Sequence, residues 1–176
     1  MHTSSSRWFY FVLKLGLFFG LLAKPALSLA QAGGGDSGSE VSIYLGSMLP
    51  NQIDGVSEIL PVFGGRYGMR TASVGVLEFG LSNSHAEGVD FTTLSGSLRA
   101  DLPAIDQFVG IVYGGVDVNY YRPSNSTERR TETGLHVGTG LLVHISDTLW
   151  LRSDLKFAVS PGTSLSILFG LVFRSF

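Results

Sequence analysis

The chain has no cysteine in its 176 residues. That excludes a disulfide framework and any thiolate metal site, even for a protein exported to an oxidising compartment. Charge is scarce as well. Asp, Glu, Lys and Arg make up 15% of the chain, where a typical soluble domain carries about 25%. The formal net charge of −2 offers no basic face for a nucleic acid. No P-loop and no GxSxG elbow occurs, and no glycine fingerprint lies between a strand and a helix. The common phosphate-cradling, dinucleotide-binding and hydrolase motifs are therefore missing. A secreted domain of this size needs a charged exterior, and this chain is short of material for one.

What is present begins with the N-terminus. "MHTSSSR" is a short n-region, "WFYFVLKLGLFFGLLA" (Trp8 to Ala23) an apolar h-region interrupted by Lys14, and "KPALSLAQA" breaks at Pro25 and ends on small residues. This pattern predicts a cleaved signal peptide over residues 1–32, at Ala30-Gln31-Ala32, with a cut after Ala30 as the near alternative. A membrane anchor fits less well, because the 16-residue run is short for a span and holds a lysine. "GGGDSGSE" (residues 33–40) reads as a flexible leader and residues 41–176 as the folded domain. Losing Arg7, Lys14 and Lys24 leaves nine basic and fourteen acidic residues, a formal charge of −5.

From Val41 onward apolar residues recur at every second position, the strand period. Eight such segments are expected: about 41–49, 59–70, 73–81, 91–102, 108–121, 133–145, 149–159 and the C-terminal stretch "TSLSILFGLVFRSF". In the clearest, Leu149, Leu151, Leu155, Phe157 and Val159 alternate with Trp150, Arg152, Asp154 and Lys156. Short connections fall near Thr71-Ala72, Pro103 to Gln107 and Ser146 to Thr148; long polar ones ("PNQIDGVSE", "SNSHAEG", "RPSNSTERRTE") fall at the other end. An even strand number with that asymmetry predicts an up-and-down antiparallel meander across a membrane.

Alternation alone fits either a soluble barrel, apolar inside, or a transmembrane one, apolar outside. The polar face is rich in Ser, Thr and Gly, and its charges are of both signs at strand centres. That suits a closed lumen with paired charges better than a solvated exterior. Tyr67, Phe108, Tyr120 and Phe173 fall toward strand ends on the apolar face, the placement of an interfacial girdle. A hairpin loop centred on Ala72 would set Arg66 opposite Glu78 as an ion pair. One centred on Asp147 sets Gly140 opposite Asp154 and Gly138 opposite Lys156, glycines leaving room for long side chains. Eight strands enclose a bore that side chains can fill. Arg66, Glu78, Arg99, Asp117, Arg152, Asp154 and Lys156 are therefore expected to form an internal polar network, with an ion-conducting path as the competing reading.

With these strands laid out, the chain resembles the small eight-stranded bacterial outer-membrane proteins, the family of the OmpA transmembrane domain, OmpX and opacity-type surface antigens. The resemblance covers Val41 to Phe176 and rests on pattern. It implies a periplasmic N-terminus, surface loops and insertion by the outer-membrane assembly machinery, which reads the last strand. Leu168-x-Gly170-x-x-Phe173 resembles the middle of the family's terminal signature, while Phe176, the final aromatic, comes one residue late. Gly170, Phe173 and Phe176 are thus the expected assembly signal, with a bulge or frayed end at the terminus.

Some eight-stranded barrels are lipid A deacylases with a His-x-Ser pattern, and His144-Ile145-Ser146 resembles it. A catalytic Ser needs a base in reach and a group orienting that base. Here the pair lies at the short-turn end, with His144 expected opposite Trp150, and the family's following Asn is Asp147. A lumenal turn residue is the plainer reading. His136 with Glu132, and His85 with Glu87, are too few to converge on a metal. The third long loop, with Arg122, Arg129 and Arg130, is the distinctive exposed segment; it could engage a surface ligand or be only a solvated loop.

The sequence thus predicts an all-β, eight-stranded antiparallel up-and-down transmembrane barrel in the bacterial outer membrane, monomeric, in contact with its lipids and without a cofactor, metal or nucleic-acid partner. The expected role is structural or surface-exposed, with a deacylase-like lipid A enzyme or a small pore as alternatives.

Overall fold

The computed structural model describes residues 38–53, 56, 59–71, 75–86, 89–123 and 128–175. It contains eight strands: β1 (Ser39–Asn51), β2 (Leu60–Arg70), β3 (Gly75–Ala86), β4 (Val89–Asp101), β5 (Phe108–Arg122), β6 (Arg130–Ser146), β7 (Leu149–Val159) and β8 (Thr163–Ser175). Each pairs antiparallel with its neighbours in sequence, and β8 returns to β1 from Asn51↔Thr163 to Ser39↔Ser175, closing the barrel. Closure leaves no strand edge unpaired.

The alternation read from the sequence becomes an inverted polarity. Leu45, Phe63 and Leu98 are 67%, 59% and 61% exposed, whereas the inward-facing Arg99 and Glu78 are 1% and 3% exposed. Tyr67, Phe108, Tyr120 and Phe173 all lie on the exposed face. The interior is layered. Met48, Ile53, Val56, Leu60, Val62, Val89, Phe91, Tyr121 and Leu168 form an apolar cluster at the end where β1 meets β2. Ile111, Tyr113, Leu142 and Val172, with Val109 and Trp150 against them, form a second toward the opposite end. Charged groups fill the bore between and beside them.

The structure departs from the sequence expectations at several points. β1 begins at Ser39, so Glu40, assigned to the leader, is a buried barrel residue. "SNSHAEG" is not a long loop: β3 and β4 continue through it, leaving only residues 87–88 between them, because Ser82 and Ser84 take inward positions and Thr92 donates to Asn83 at 2.8 Å. Arg122 and Arg130, assigned to the third loop, end β5 and begin β6. The β2–β3 register sets Arg66 opposite Gly80 and Glu78 opposite Gly68, so the expected cross-strand pair Arg66–Glu78 does not form. In the β6–β7 hairpin, Gly140↔Asp154, Gly138↔Lys156 and His144↔Trp150 pair as expected, and a bulge falls between His144 and Ser146. The bulge or fray expected at the C-terminus concerns Phe176, outside the described residues; through Ser175 the β1–β8 register runs without a shift. The signal segment also lies outside the described residues.

Candidate functional site

The candidate site is the lumen, and it is built in levels along the bore. At the end holding both barrel termini, Arg70 lies between Glu40 (2.9 Å) and Asp101 (3.1 Å). Arg174 reaches Glu40 at 2.9 Å and lies 4.3 Å over the Trp150 ring. Arg99 is the hub. Its Nη1 and Nη2 meet Glu40 at 2.9 and 3.0 Å, Nε meets Asp101 at 2.7 Å, and Nη1 also donates to Glu78 at 2.5 Å. At the next level Arg152 donates to Glu78 at 2.5 Å and from Nε to both oxygens of Asp154 at 3.0 Å. Arg66 closes that level with Nη1 2.8 Å from Asp154 and its guanidinium 4.3 Å over the Tyr44 ring. Nearer the far end Lys156 and His136 both approach Asp117, at 2.9 Å.

All seven residues expected in a polar network are therefore inside the barrel and in ion-pair contact with one another or with Glu40, Asp101 and His136. Glu40, Arg70, Asp101 and Arg174 complete them. The paired cations are Arg66, Arg70, Arg99, Arg152, Lys156 and Arg174, against Glu40, Glu78, Asp101, Asp117 and Asp154. A further carboxylate, Glu132, accepts from Tyr121 at 3.2 Å and Ser160 at 3.3 Å near the far mouth. Charges taken out of water are tolerated when paired and hydrogen-bonded, and here each cation meets a carboxylate.

Of the residues outside the expected network, Glu40 follows a glycine-rich stretch, and its inward parity shows only once β1 is extended to Ser39, whereas Arg70 and Asp101 lie at the ends of β2 and β4, inside the expected segments 59–70 and 91–102. Glycines supply the room, partly as expected. A Cβ at Gly140 would come within 2.9 Å of Asp154 Oδ1, so that glycine does clear space for a carboxylate. At Gly138 the obstruction would be the Tyr113 ring rather than Lys156.

Above the ion pairs the far half of the bore encloses a cavity of about 50 Å³, room for a few waters. Its wall includes Arg66, Ser97, Tyr113, Asp117, His136 and Lys156, and Ile53 and Ser160–Gly162 line it toward the mouth. No group of three or more His, Cys, Asp or Glu side chains able to hold a metal ion occurs among the described residues. At the opposite end His144 packs its ring 4.7 Å from that of Trp150.

At the rim, His85 Nδ1 and Arg122 Nη2 each stand 2.5 Å from an oxygen of Asp90, so Arg122 is engaged at the barrel wall. Arg129 and Arg130 are exposed beside it. Gly170 is paired with Tyr44, where a Cβ would run into the β1 backbone, and Phe173 faces outward.

Solved structures carry the same architecture. The N-terminal β-barrel domain of Pseudomonas aeruginosa OprF matches with a TM-score of 0.65 at 16% identity, over 80% of this chain and 99% of that one. Neisserial surface protein A matches with a TM-score of 0.62 at 13% identity, over 80% and 99%. This is the fold of the small eight-stranded outer-membrane barrels. Ail of Yersinia pestis, in complex with the heparin analogue sucrose octasulfate, shares that barrel with a TM-score of 0.53 at 14% identity, over 80% and 99%. No family model and no curated protein matches the sequence.

Proposed function

We propose that this chain is a monomeric outer-membrane barrel, exported by its N-terminal segment, whose role is to reinforce the membrane and present its rim and loops at the cell surface. The observation carrying this reading is the inverted barrel itself: an apolar exterior suited to lipid around a bore filled with ion pairs. In this reading Arg66, Glu78, Arg99, Asp117, Arg152, Asp154 and Lys156 act as a rigid internal brace, and Gly170, Phe173 and Phe176 are read by the assembly machinery. The arginines beside the third connection (Arg122, Arg129 and Arg130) suit a sulfated or otherwise anionic surface ligand. The Ail complex with sucrose octasulfate makes such a ligand reasonable on this architecture.

Cell fractionation with heat-modifiable gel migration tests location and barrel together; a purely soluble periplasmic protein would sink the proposal. A deletion strain scored for detergent sensitivity and lipid A composition separates bracing from enzymatic modification. Detergent sensitivity should rise with lipid A unchanged. Steady single-channel conductance in a planar bilayer would replace bracing by the pore reading.

A further inference from the structure

Three side chains on the wall of the far cavity stand in sequence within reach of one another. Ser97 Oγ on β4 lies 2.9 Å from His136 Nε2 on β6. His136 Nδ1 lies 2.9 Å from Asp117 Oδ1 on β5. The register explains how residues two strands apart can meet. Ser97 and His136 both pair with Gly115, one from each side, and Gly115 has no side chain to separate them. A Cβ there would press on the β4 backbone at Gly96 and Ser97. Asp117, two positions further along β5, faces the same cavity.

In a neutral ring, a carboxylate beside Nδ1, which only accepts, favours the proton there and leaves the Nε2 lone pair to accept from the Ser97 hydroxyl. Asp117 is held in turn by Lys156 Nζ at 3.0 Å. The carboxylate lies off the line of the Nδ1–H bond, and Nδ1 has no aligned partner; in empty catalytic sites such bonds often align only when substrate is bound. A second unsatisfied group lines the same cavity. The Tyr113 hydroxyl is buried without a hydrogen-bond partner. The Tyr113 ring lies 6.1 Å from that of His136, which sets an unsatisfied donor on the same cavity wall as the Ser97–His136 pair.

We propose that Ser97, His136 and Asp117 form a nucleophilic site in the outer lumen that takes esters of small carboxylic acids. This goes beyond the bracing role and does not depend on it. Ser97 Oγ attacks the ester carbonyl as its proton passes to His136 Nε2, and an Oγ–C bond forms. The bond to the alcohol oxygen breaks, and the alcohol leaves with the proton from His136. Water then attacks the acyl-serine, restoring the Ser97 hydroxyl and releasing the carboxylic acid. The cavity of about 50 Å³ limits the acyl group to a few carbons and excludes a lipid chain.

The test uses the mature chain folded in detergent micelles, with p-nitrophenyl acetate as the probe. The expected result is a burst of p-nitrophenolate and an acetyl group mapped to Ser97 by peptide mass spectrometry. Neighbouring Ser82, Ser84 and Ser95, which line the same cavity, stay unmodified. Ser97→Ala abolishes the burst, and His136→Gln slows it by about 10²-fold or more. Heat-modifiable migration verifies that each variant is folded. No acetyl on Ser97 in the folded wild type, or equal labelling of the neighbouring serines, overturns the proposal even if neither variant folds. A folded His136→Gln that labels as fast as wild type also overturns it.

Discussion

Arg66 on β2 and Asp154 on β7 meet across the bore at 2.8 Å, with side chains only 9% and 2% exposed. Their strands are not neighbours; β1 and β8 stand between them. The contact therefore joins two walls of the closed barrel that no strand pairing connects, which a ladder hydrogen bond cannot do. A double-mutant cycle with Arg66→Gln and Asp154→Asn, read by urea unfolding in lipid vesicles, should give a coupling energy of about 0.5–3 kcal/mol. A coupling indistinguishable from zero would mean that the two groups are held apart in the folded barrel.

Arg99 should be the most costly single loss. It is the guanidinium that Glu40, Glu78 and Asp101 share, and its side chain is fully buried. Arg99→Met fills similar volume but strands three carboxylates with less counter-charge, for which about 3–5 kcal/mol is the usual scale. Arg129→Ala, at an exposed position, should stay within about 0.5 kcal/mol. Unfolding midpoints of the two variants in the same vesicles would decide. Equal losses would deny Arg99 its central place.

Which residues face inward was legible in the sequence, and which ones touch was not. Parity survives an error of two residues in a hairpin. Moving the β2–β3 register from Arg66↔Glu78 to Arg66↔Gly80 keeps both charges in the lumen while dissolving the pair between them. The partners that replace it, Asp154 for Arg66 and Arg99 and Arg152 for Glu78, include contacts across the bore that no local spacing encodes. The same limit hid the Ser97–His136 contact, which needs two registers, β4–β5 and β5–β6, to be right together. The β3–β4 connection is illegible in the sequence for a different reason. Its Ser and Asn residues look like loop composition, but in a barrel with a polar interior they are ordinary inward or rim residues.

At the rim, His85, Asp90 and Arg122 form one row across β3, β4 and β5. The hydrogen bond with His85 first, and then the charge of Arg122, hold the Asp90 carboxyl below the ordinary aspartate range. A lowered folded-state pKa means that this row stabilises the rim above the unfolded aspartate value and loses its contribution as pH falls through the folded one. An NMR titration of the Asp90 carboxyl in micelles should give a midpoint below that of a free aspartate. His85→Gln should raise that midpoint more than Arg122→Gln does. A wild-type midpoint at the free value would mean that the row is open in solution.

The C-terminus separates packing from recognition. Phe173 faces outward from β8, Arg174 turns inward onto Trp150, and Ser175 pairs with Ser39, the last pair of the described β1–β8 ladder. Removing Phe176 leaves each of these described pairs in place. Its deletion should leave refolding into detergent micelles unchanged while lowering the amount delivered to the outer membrane in cells severalfold. Phe173→Ser should impair both, because it also removes apolar surface from the lipid-facing belt. If deleting Phe176 slows refolding in micelles as much as it lowers delivery in cells, the terminal aromatic is a packing residue and the assembly reading fails.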